Sequence, residues 1–331
     1  MISFNPSEEQ QMIITMMRQF ANDEMRKIYR QSDETGAIPA GIIDKAWEMG
    51  IITSIVPQNC GGGGEERSAV TGALMAEELA WGDLSATLQV MTPMLVAVPL
   101  LTAGSEAQKQ KYLKEFCGKH PPKVTSALTE PRFSFDPNDL TTKAVLKSGK
   151  YILNGHKCFV PLAAESDYIL VFASENGATQ GFMVAKNNSG LKILEREKNM
   201  GIKALPTYEI TLENCAVAKE DRLGEAKGCD FNVLLNSSRV ALAAMAVGVA
   251  RAAYEYAREY AKTRVAFGEP IGSRQAIAFM LADMAIEIDA TRIMVWEAAW
   301  KLDKKQDATK EASLVKLYAD DMVMVAADRA V

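Results

Sequence analysis

The sequence predicts a multidomain protein of the α+β class, with an N-terminal helical domain, a middle β-barrel-like domain and a C-terminal helical bundle. Apolar residues recur at helical spacing up to about residue 120, and short β-branched runs separated by Gly, Asn and Asp follow. Alanine-rich helical patterns resume near residue 230. Because helices and strands are segregated along the chain, the pattern argues against an alternating parallel α/β sheet. We place the domains at residues 1–120, 121–226 and 227–331.

Capping residues mark the helices of the first domain. Ser7 and Gln10 stand three residues apart ahead of an amphipathic run, which is the pattern of a capping box. Pro39 is expected to open a second helix, and Gly50 to end it. The four glycines at 61–64 predict a flexible break rather than a phosphate-binding loop, because no Gly-Lys-Ser/Thr follows.

The middle and last domains are defined by a change of pattern. Short strand-like runs begin at Val124 and continue to about Leu223. Three long helices are expected afterwards, from about residue 230, over 274–305, and from Thr309 to Val331. The last helical pattern stops without a capping signal, so we expect the bundle to be incomplete within this chain.

Composition is that of an ordinary globular protein. Hydrophobic residues make up 48% and charged residues 24% of the 331 residues, and the net charge is −5. This balance argues against a basic nucleic-acid-binding surface. No apolar run is expected to reach the roughly 18–20 residues of a membrane helix, and the N-terminus carries no secretory signal. We therefore expect a cytoplasmic protein without membrane insertion.

Cysteine and histidine usage predicts neither a metal site nor a disulfide framework. The five cysteines are far apart in the sequence and never form a CxxC pair, so we interpret them as reduced. With only two histidines, His120 and His156, there is little room for a His-based metal site or a Ser-His-Asp triad.

Several motifs, in chain order, resemble the acyl-CoA dehydrogenase family. The segment Ser126-Ala-Leu-Thr-Glu-Pro131 resembles the strand end that contacts the flavin, and Tyr151-Ile-Leu-Asn-Gly-His-Lys157 resembles the family's YxxNGxK hairpin. The most specific match is Tyr260-Ala-Lys-Thr-Arg-Val-Ala-Phe-Gly268 followed by Gln275, which is similar to the Y-x-x-x-R-x-x-F-G…Q pattern. The resemblance is collinear from about residue 5 to residue 331.

The resemblance implies an enzyme that uses FAD to desaturate an acyl-CoA thioester between its α and β carbons. In that family a glutamate removes the α-proton and the β-hydrogen passes as hydride to the flavin, which supplies the redox chemistry. Hydrogen-bond donors must stabilise the thioester oxygen, and the base must lie within reach of the proton in a largely dry site. The family also implies an electron-transferring flavoprotein or similar acceptor, and a homotetramer or a heteromeric assembly with a homologous subunit.

Cofactor contacts are carried over position by position. Leu128 and Thr129 match positions whose backbone and hydroxyl meet the flavin ring, and Phe159 matches an aromatic residue that stacks on it. The positions of Arg264, Phe267 and Gln275 are those that reach the FAD of a neighbouring subunit. An arginine suits pyrophosphate oxygens and a phenylalanine suits a flat ring face. Arg264 could instead be a solvated charge at a helix end.

Substrate contacts follow from the same resemblance. Asn236 and Arg239 match positions at the adenine end of coenzyme A and the mouth of the acyl cleft, although an aspartate often stands at the Asn236 position. An ordinary ion pair near the start of a helix is the alternative for Arg239. Phe135 occupies the position of a serine that hydrogen-bonds the ligand.

Three departures from the family pattern weaken the enzyme interpretation. Arg132 and Ser134 stand where glycines usually allow close backbone approach, which should reshape the loop. Pro161 replaces a threonine and supplies neither its hydroxyl nor an N–H. The catalytic glutamate is expected beyond Val331, and the position that carries it in a minority of members is Ser238, which cannot act as a carboxylate base.

Two other interpretations therefore stay open. The chain could be a non-catalytic or half-site partner subunit of a heteromeric complex, since the motifs facing a neighbour's cofactor are kept while those around its own flavin have changed. It could also be a related flavoenzyme that acts on another thioester or a carrier-bound acid.

Overall fold

The computed structural model describes residues 5–39 and 41–331. The chain separates into two compact units by spatial packing. One unit, here called the helical unit, comprises Met1–Tyr29, Arg67–Thr87 and Leu235–Val331. The other, here called the β unit, comprises Arg30–Glu66 and Leu88–Leu234. The contiguous boundaries at residues 120 and 226 remain a prediction.

Helices occupy the two ends of the chain, as the sequence predicts. Those of the first part are α1 (Glu8–Phe20), α2 (Tyr29–Thr35), α3 (Ile42–Glu48), α4 (Ile51–Ser54), α5 (Ala69–Gly82), α6 (Leu84–Met91), α7 (Met94–Ala103) and α8 (Glu106–Tyr112). Those of the last part are α9 (Phe231–Thr263), α10 (Gln275–Asp303) and α11 (Thr309–Ala330).

Local signals explain where several helices begin. The predicted capping box is confirmed, because the Ser7 hydroxyl accepts from the Gln10 N–H and the Gln10 side chain accepts from the Ser7 N–H. The expected helix start at Pro39 is wrong, since α3 begins at Ile42 and its N-cap, Gly41, has a φ of 91°. Gly50 does end that helix, with a φ of 72°.

The glycine run at 61–64 is a packed turn, which corrects the expectation of a flexible break. Its amide groups donate to backbone carbonyls of residues 53–58. One example is the Gly63 N–H, which donates to the Thr53 carbonyl at 3.1 Å. A Cβ at Gly62 would lie 2.2 Å from the Val56 carbonyl oxygen, and one at Gly63 would lie 2.7 Å from that of Ser54. Glycine is therefore required by close backbone approach.

Seven strands of the described chain form one sheet in the β unit. They are β1 (Val124–Ala127), β2 (Lys143–Lys147), β3 (Lys150–Pro161), β4 (Tyr168–Glu175), β5 (Ala178–Ala185), β6 (Leu191–Arg196) and β7 (Thr207–Ala218). The order is β1-β4-β2-β3-β7-β6, and β5 pairs with β4. β4 runs parallel to both β1 and β2, whereas the remaining pairs are antiparallel. A separate hairpin joins β8 (Val265–Ala266) to β9 (Glu269–Pro270).

The sheet encloses an apolar core of alternating strand residues. The rings of Tyr151 and Phe182 pack with centroids 5.0 Å apart, and Leu153, Ile169 and Ile210 are fully buried around them. Alternation of side chains along each strand places these residues on the same face. The curled sheet matches the predicted β-barrel-like middle domain.

Close packing of α9 against α5 organises the helical unit. A Cβ at Gly248 would lie 2.2 Å from the Glu77 carbonyl oxygen and 3.0 Å from the Ala80 Cβ. The lack of a side chain at Gly248 therefore lets this alanine-rich helix approach α5 closely.

Two helical stretches are long and apolar enough to cross a membrane by length and composition alone, contrary to the sequence expectation. They are Leu84–Ala103 and Phe231–Thr263, with mean hydropathy 1.7 and 1.6. In each, 56% of the apolar window is buried inside the protein. A turn at Thr92 and Pro93 also interrupts the first stretch. We interpret both as core helices.

Candidate flavin and substrate site

The two carbonyls that directly follow β1 both accept hydrogen bonds from β3. The Lys157 ammonium donates to the Leu128 carbonyl at 2.9 Å, and the Cys158 N–H donates to the Thr129 carbonyl at 3.0 Å. Leu128 and Thr129 are half-buried. Two hydrogen bonds therefore fix the main chain at the predicted flavin-contacting position.

A buried ion pair lies directly behind this strand end. Lys157 has no exposed surface and Glu130 is 2% exposed, and the Lys157 ammonium lies 3.0 Å from Glu130 Oε1. The same carboxylate accepts from the Thr142 N–H at 2.8 Å and from the N–H and hydroxyl of Thr141 at 2.8 and 2.7 Å. The carboxylate thus closes the loop of residues 131–140 at its base.

The titration behaviour of the pair follows from this arrangement. Burial opposes the charge on Glu130, but hydrogen bonds from Thr141 and Thr142 outweigh it and lower the pKa of Glu130. Burial lowers the pKa of Lys157 from its ordinary value, and the negative charge of Glu130 opposes that shift.

Arg132 folds back onto its own loop. Its guanidinium donates to the Asp139 carbonyl, and its Nε lies 3.7 Å from Glu130 Oε2. Within the described chain, no residue from 131 to 139 has a positive φ, so the loop follows a path that does not need the family's glycines. The predicted reshaping therefore has a structural basis. Phe135, the candidate substrate contact, is half-buried in this loop.

Phe159 stands out on β3 as an exposed aromatic ring. The β3–β7 register shifts between Lys157 and Val160, and within this bulge Phe159 has a φ of 53°. Its N–H donates to Glu197 Oε1 at 3.2 Å, and 58% of the residue is exposed. A bulky residue at positive φ is strained, and such strain clusters at ligand sites. Pro161, at the end of the same strand, pairs with Thr207 and has no N–H to offer.

Two of the predicted substrate contacts, Asn236 and Arg239, lie near the start of α9. The Asn236 amide nitrogen donates to the Thr309 hydroxyl at 3.0 Å, and Arg239 donates to the Ser313 hydroxyl at the same distance. Both bonds join α9 to α11. Asn236 is 4% exposed and its Oδ1 is buried without a partner, which leaves one acceptor unused. Ser238 is exposed.

The residues predicted to reach a neighbouring cofactor surround the β8–β9 hairpin. Arg264 and Gln275 are exposed, and Phe267 at the hairpin tip is 97% exposed. Phe267 and Gly268 both have positive φ, 54° and 87°, as a tight hairpin turn requires. The fully exposed ring is thus presented by a defined turn.

Sequence reasoning missed four supporting residues. Glu130 and Lys157 belong to motifs that were recognised, but their pairing across two strands has no local signal. Glu197 accepts from the Phe159 N–H. Arg274 lies with its guanidinium 5.8 Å from the Phe267 ring centroid and pairs with Glu269 at 3.1 Å. Opposite charges on either side of a short turn could have indicated the last pair.

Comparisons with known proteins agree with these features. The N-terminal, middle and C-terminal domains of acyl-CoA dehydrogenases match residues 7–119, 125–215 and 231–331. Caffeyl-CoA reductase-Etf complex subunit CarC of Acetobacterium woodii is 36% identical, over 96% of this chain and 85% of its own length. The chain therefore belongs to the acyl-CoA dehydrogenase family.

Solved structures extend this result to the fold. Butyryl-CoA dehydrogenase from Megasphaera elsdenii superposes with a TM-score of 0.89 at 30% identity, over 99% of this chain and 88% of that one. PigA with FAD and proline superposes with a TM-score of 0.90 at 27% identity, over the same shares of each chain. The predicted fold class and family are confirmed.

The residues present fit a flavin ring at the end of β1. Lys157 and Cys158 of β3 hold the Leu128 and Thr129 carbonyls, and the next residue of β3, Phe159, has an exposed ring. In the described residues no group of three or more His, Cys, Asp or Glu side chains could hold a metal ion.

Proposed function

We propose that the protein is an FAD-dependent acyl-CoA dehydrogenase that desaturates an acyl-CoA thioester between its α and β carbons. The observation that carries the proposal is the exposed Phe159 ring, which directly follows the two residues that hold the Leu128 and Thr129 carbonyls, in a chain of this family. Bound FAD would accept hydride from the substrate. An electron-transferring flavoprotein is the proposed acceptor, which the similarity to a subunit of an Etf complex supports.

Each site residue has a proposed part in this function. Leu128, Thr129 and Phe159 hold and cover the ring of the chain's own FAD, because stacking and fixed main-chain groups orient a flat cofactor. Arg264, Phe267 and Gln275 contact the FAD of an adjoining subunit, for which their exposure leaves them available.

Substrate contacts are proposed for Phe135, Asn236 and Arg239. Arg239 is half-buried, so its guanidinium can bind an anionic group of coenzyme A while one N–H stays on Ser313. No catalytic base is assigned to Ser238, since a serine hydroxyl does not supply the carboxylate that α-proton removal uses in this family. The proposed location is cytoplasmic.

The test is an anaerobic titration of the purified protein with acyl-CoA thioesters. We expect a yellow protein whose flavin absorption is bleached by a saturated acyl-CoA and restored by an electron-transferring flavoprotein. If a carrier-bound acid bleaches the flavin and no acyl-CoA does, the substrate is a carrier-bound acid and not an acyl-CoA. A colourless protein that cannot be reconstituted with FAD would contradict the proposal.

A half-site role in a heteromeric complex is the second candidate, and specific observations favour it. Pro161 has no N–H, Arg132 is turned into its own loop, and Ser238 is not a carboxylate. Co-purification with a homologous chain and about half a flavin per chain would support this role. Full flavin occupancy in a homo-oligomer would exclude it.

A further inference from the structure

We propose that Lys157 and Glu130 form a positioning pair, which holds the Leu128–Thr129 main chain in register for the flavin ring. The inference rests on the proposed function and assigns a role to two residues that touch neither ring nor substrate. Their effect would pass through the backbone of the strand end.

The first argument is the destination of the lysine. Lys157 extends from β3 to the loop that follows β1, where its ammonium is shared between the Leu128 carbonyl at 2.9 Å and Glu130 Oε1 at 3.0 Å. A buried ion pair is often no more stabilising than apolar residues of similar volume. A second bond to a main-chain carbonyl, however, supplies a directional restraint that apolar side chains cannot.

The second argument is the continuity of the restraint along β3. Lys157 holds the Leu128 carbonyl, and the next residue, Cys158, holds the Thr129 carbonyl at 3.0 Å. The residue after that is the exposed Phe159. Two consecutive residues of one bulged strand therefore hold the start of the loop, and the third carries the exposed ring.

The third argument is that Glu130 ties the same strand end to the far side of the loop. Its carboxylate accepts from Thr141 and Thr142 immediately before β2. Loss of the pair would release the start of the loop from both β3 and β2. Supporting contacts of this kind determine how well a site is organised.

The experiment compares four variants of the full chain. Lys157→Met removes the donor, and Lys157→Arg keeps a charged donor. The double variant Lys157→Met/Glu130→Gln also removes the lone buried charge, so that the protein can fold. Arg222→Met is the matched control in the β unit, because Arg222 pairs with Glu175 at 2.7 Å and with the Glu225 carbonyl. The readouts are the FAD dissociation constant, the flavin absorption spectrum and hydrogen exchange over residues 128–142.

We expect Lys157→Met and the double variant to weaken FAD binding by about tenfold or more, because small displacements of supporting groups have large effects. They should also shift the flavin spectrum and speed exchange in residues 128–142 in the protein without flavin. Lys157→Arg should recover part of the affinity, and Arg222→Met should change none of the three readouts.

Unchanged FAD affinity in the double variant would overturn the inference, as would an equal loss in Arg222→Met. Unchanged exchange in residues 128–142 would also overturn it, whether or not flavin binds. If the wild-type protein binds no FAD, the proposed function is wrong, and so is a role of the pair in flavin binding. That result is seen before any variant is made.

Discussion

The helical unit and the β unit both bury charged side chains, but they connect different parts of the fold. In the helical unit, the adjacent carboxylates Glu77 and Glu78 of α5 meet three arginines. Arg251 donates to Glu77 at 2.8 Å and to Glu78 at 2.7 Å, while Arg18 pairs with Glu78 and Arg292 with Glu77 at 2.8 and 3.0 Å. This network joins α1, α5, α9 and α10.

In the β unit the buried charges serve one loop. Lys157 and Glu130 form an ion pair. Lys157 also donates to the Leu128 carbonyl, and Glu130 accepts from the amides of Thr141 and Thr142, which close the loop of residues 131–140. The comparison teaches that buried ion pairs can join helices in one unit and fix the loop of a proposed flavin site in the other. Changes in the first should affect stability, whereas changes in the second should affect ligand binding as well.

The largest effect is expected from Arg251→Met. It leaves two buried carboxylates without their shared partner, which typically costs about 3–5 kcal/mol. Denaturant unfolding of the full chain would measure the loss. As a control, Arg258→Met removes a half-buried arginine, with a side chain 43% exposed, that pairs with Glu259, so stability should stay within about 0.5 kcal/mol of wild type. Equal losses in the two variants would contradict a special role for the network.

The next effect concerns the helix contact beneath that network. Gly248→Ala places a Cβ 2.2 Å from the Glu77 carbonyl, and overpacking of this kind costs about 1–3 kcal/mol. Gly72→Ala in α5 meets nothing within 4 Å and should stabilise the protein by about 0.5–1 kcal/mol. Thermal unfolding of both variants checks the prediction, which fails if the two alanines act in the same direction.

Acid should weaken both units through their depressed carboxylates. Burial opposes ionisation of Glu78 and Glu130, but hydrogen bonds lower the pKa of each, and the positive charges of Arg251 and Arg18 also lower that of Glu78. A depressed pKa contributes stability above the unfolded value of 4.5 that is lost as pH falls through the folded value. Each such group contributes up to about 1.4 kcal/mol per pH unit in that window.

The measurement is unfolding free energy between pH 6 and pH 3 for wild type and Glu130→Gln, a range of about three pH units. Glu130→Gln should be less stable at neutral pH and should show a shallower acid loss, because the variant has one depressed carboxylate fewer. An unchanged slope would mean that the folded pKa of Glu130 is not depressed.

The smallest effect on stability is expected at Phe159, although FAD binding should weaken there. Phe159→Ala removes a ring that is 58% exposed, so stability should change by less than about 0.5 kcal/mol. FAD affinity should fall by about tenfold, as expected for loss of one stacking aromatic. Phe133→Ala removes a fully exposed ring from the loop and serves as the control. Equal affinities for FAD in the two variants would contradict stacking on Phe159.

Local signals in the chain predicted much of the fold. The Ser7 capping box, the strands from Val124 to Ala218 and the three long C-terminal helices all follow from short-range patterns of side-chain size and polarity. The start of α3 was misplaced because Pro39 is a permissive signal, whereas Gly41 occupies the N-cap.

The candidate site was predicted only as positions, through a resemblance. That Phe159 is exposed at a strained bulge, that Arg132 turns away into its loop, and that Asn236 is buried against α11 could not be read from the sequence. These properties depend on how each side chain meets its neighbours in the folded protein, and sequence periodicity carries no information about such contacts.

Hydrophobic period, caps and turn residues were enough to specify the class of fold, because they act within one or two turns of a residue. The family was indicated by the resemblance of its motifs. The partners of Lys157, Glu130 and Gly248 were settled by packing, since each depends on which strand or helix lies alongside. Short-range preferences choose the elements, and the close approach of those elements then selects the few residues whose charge or lack of a side chain matters.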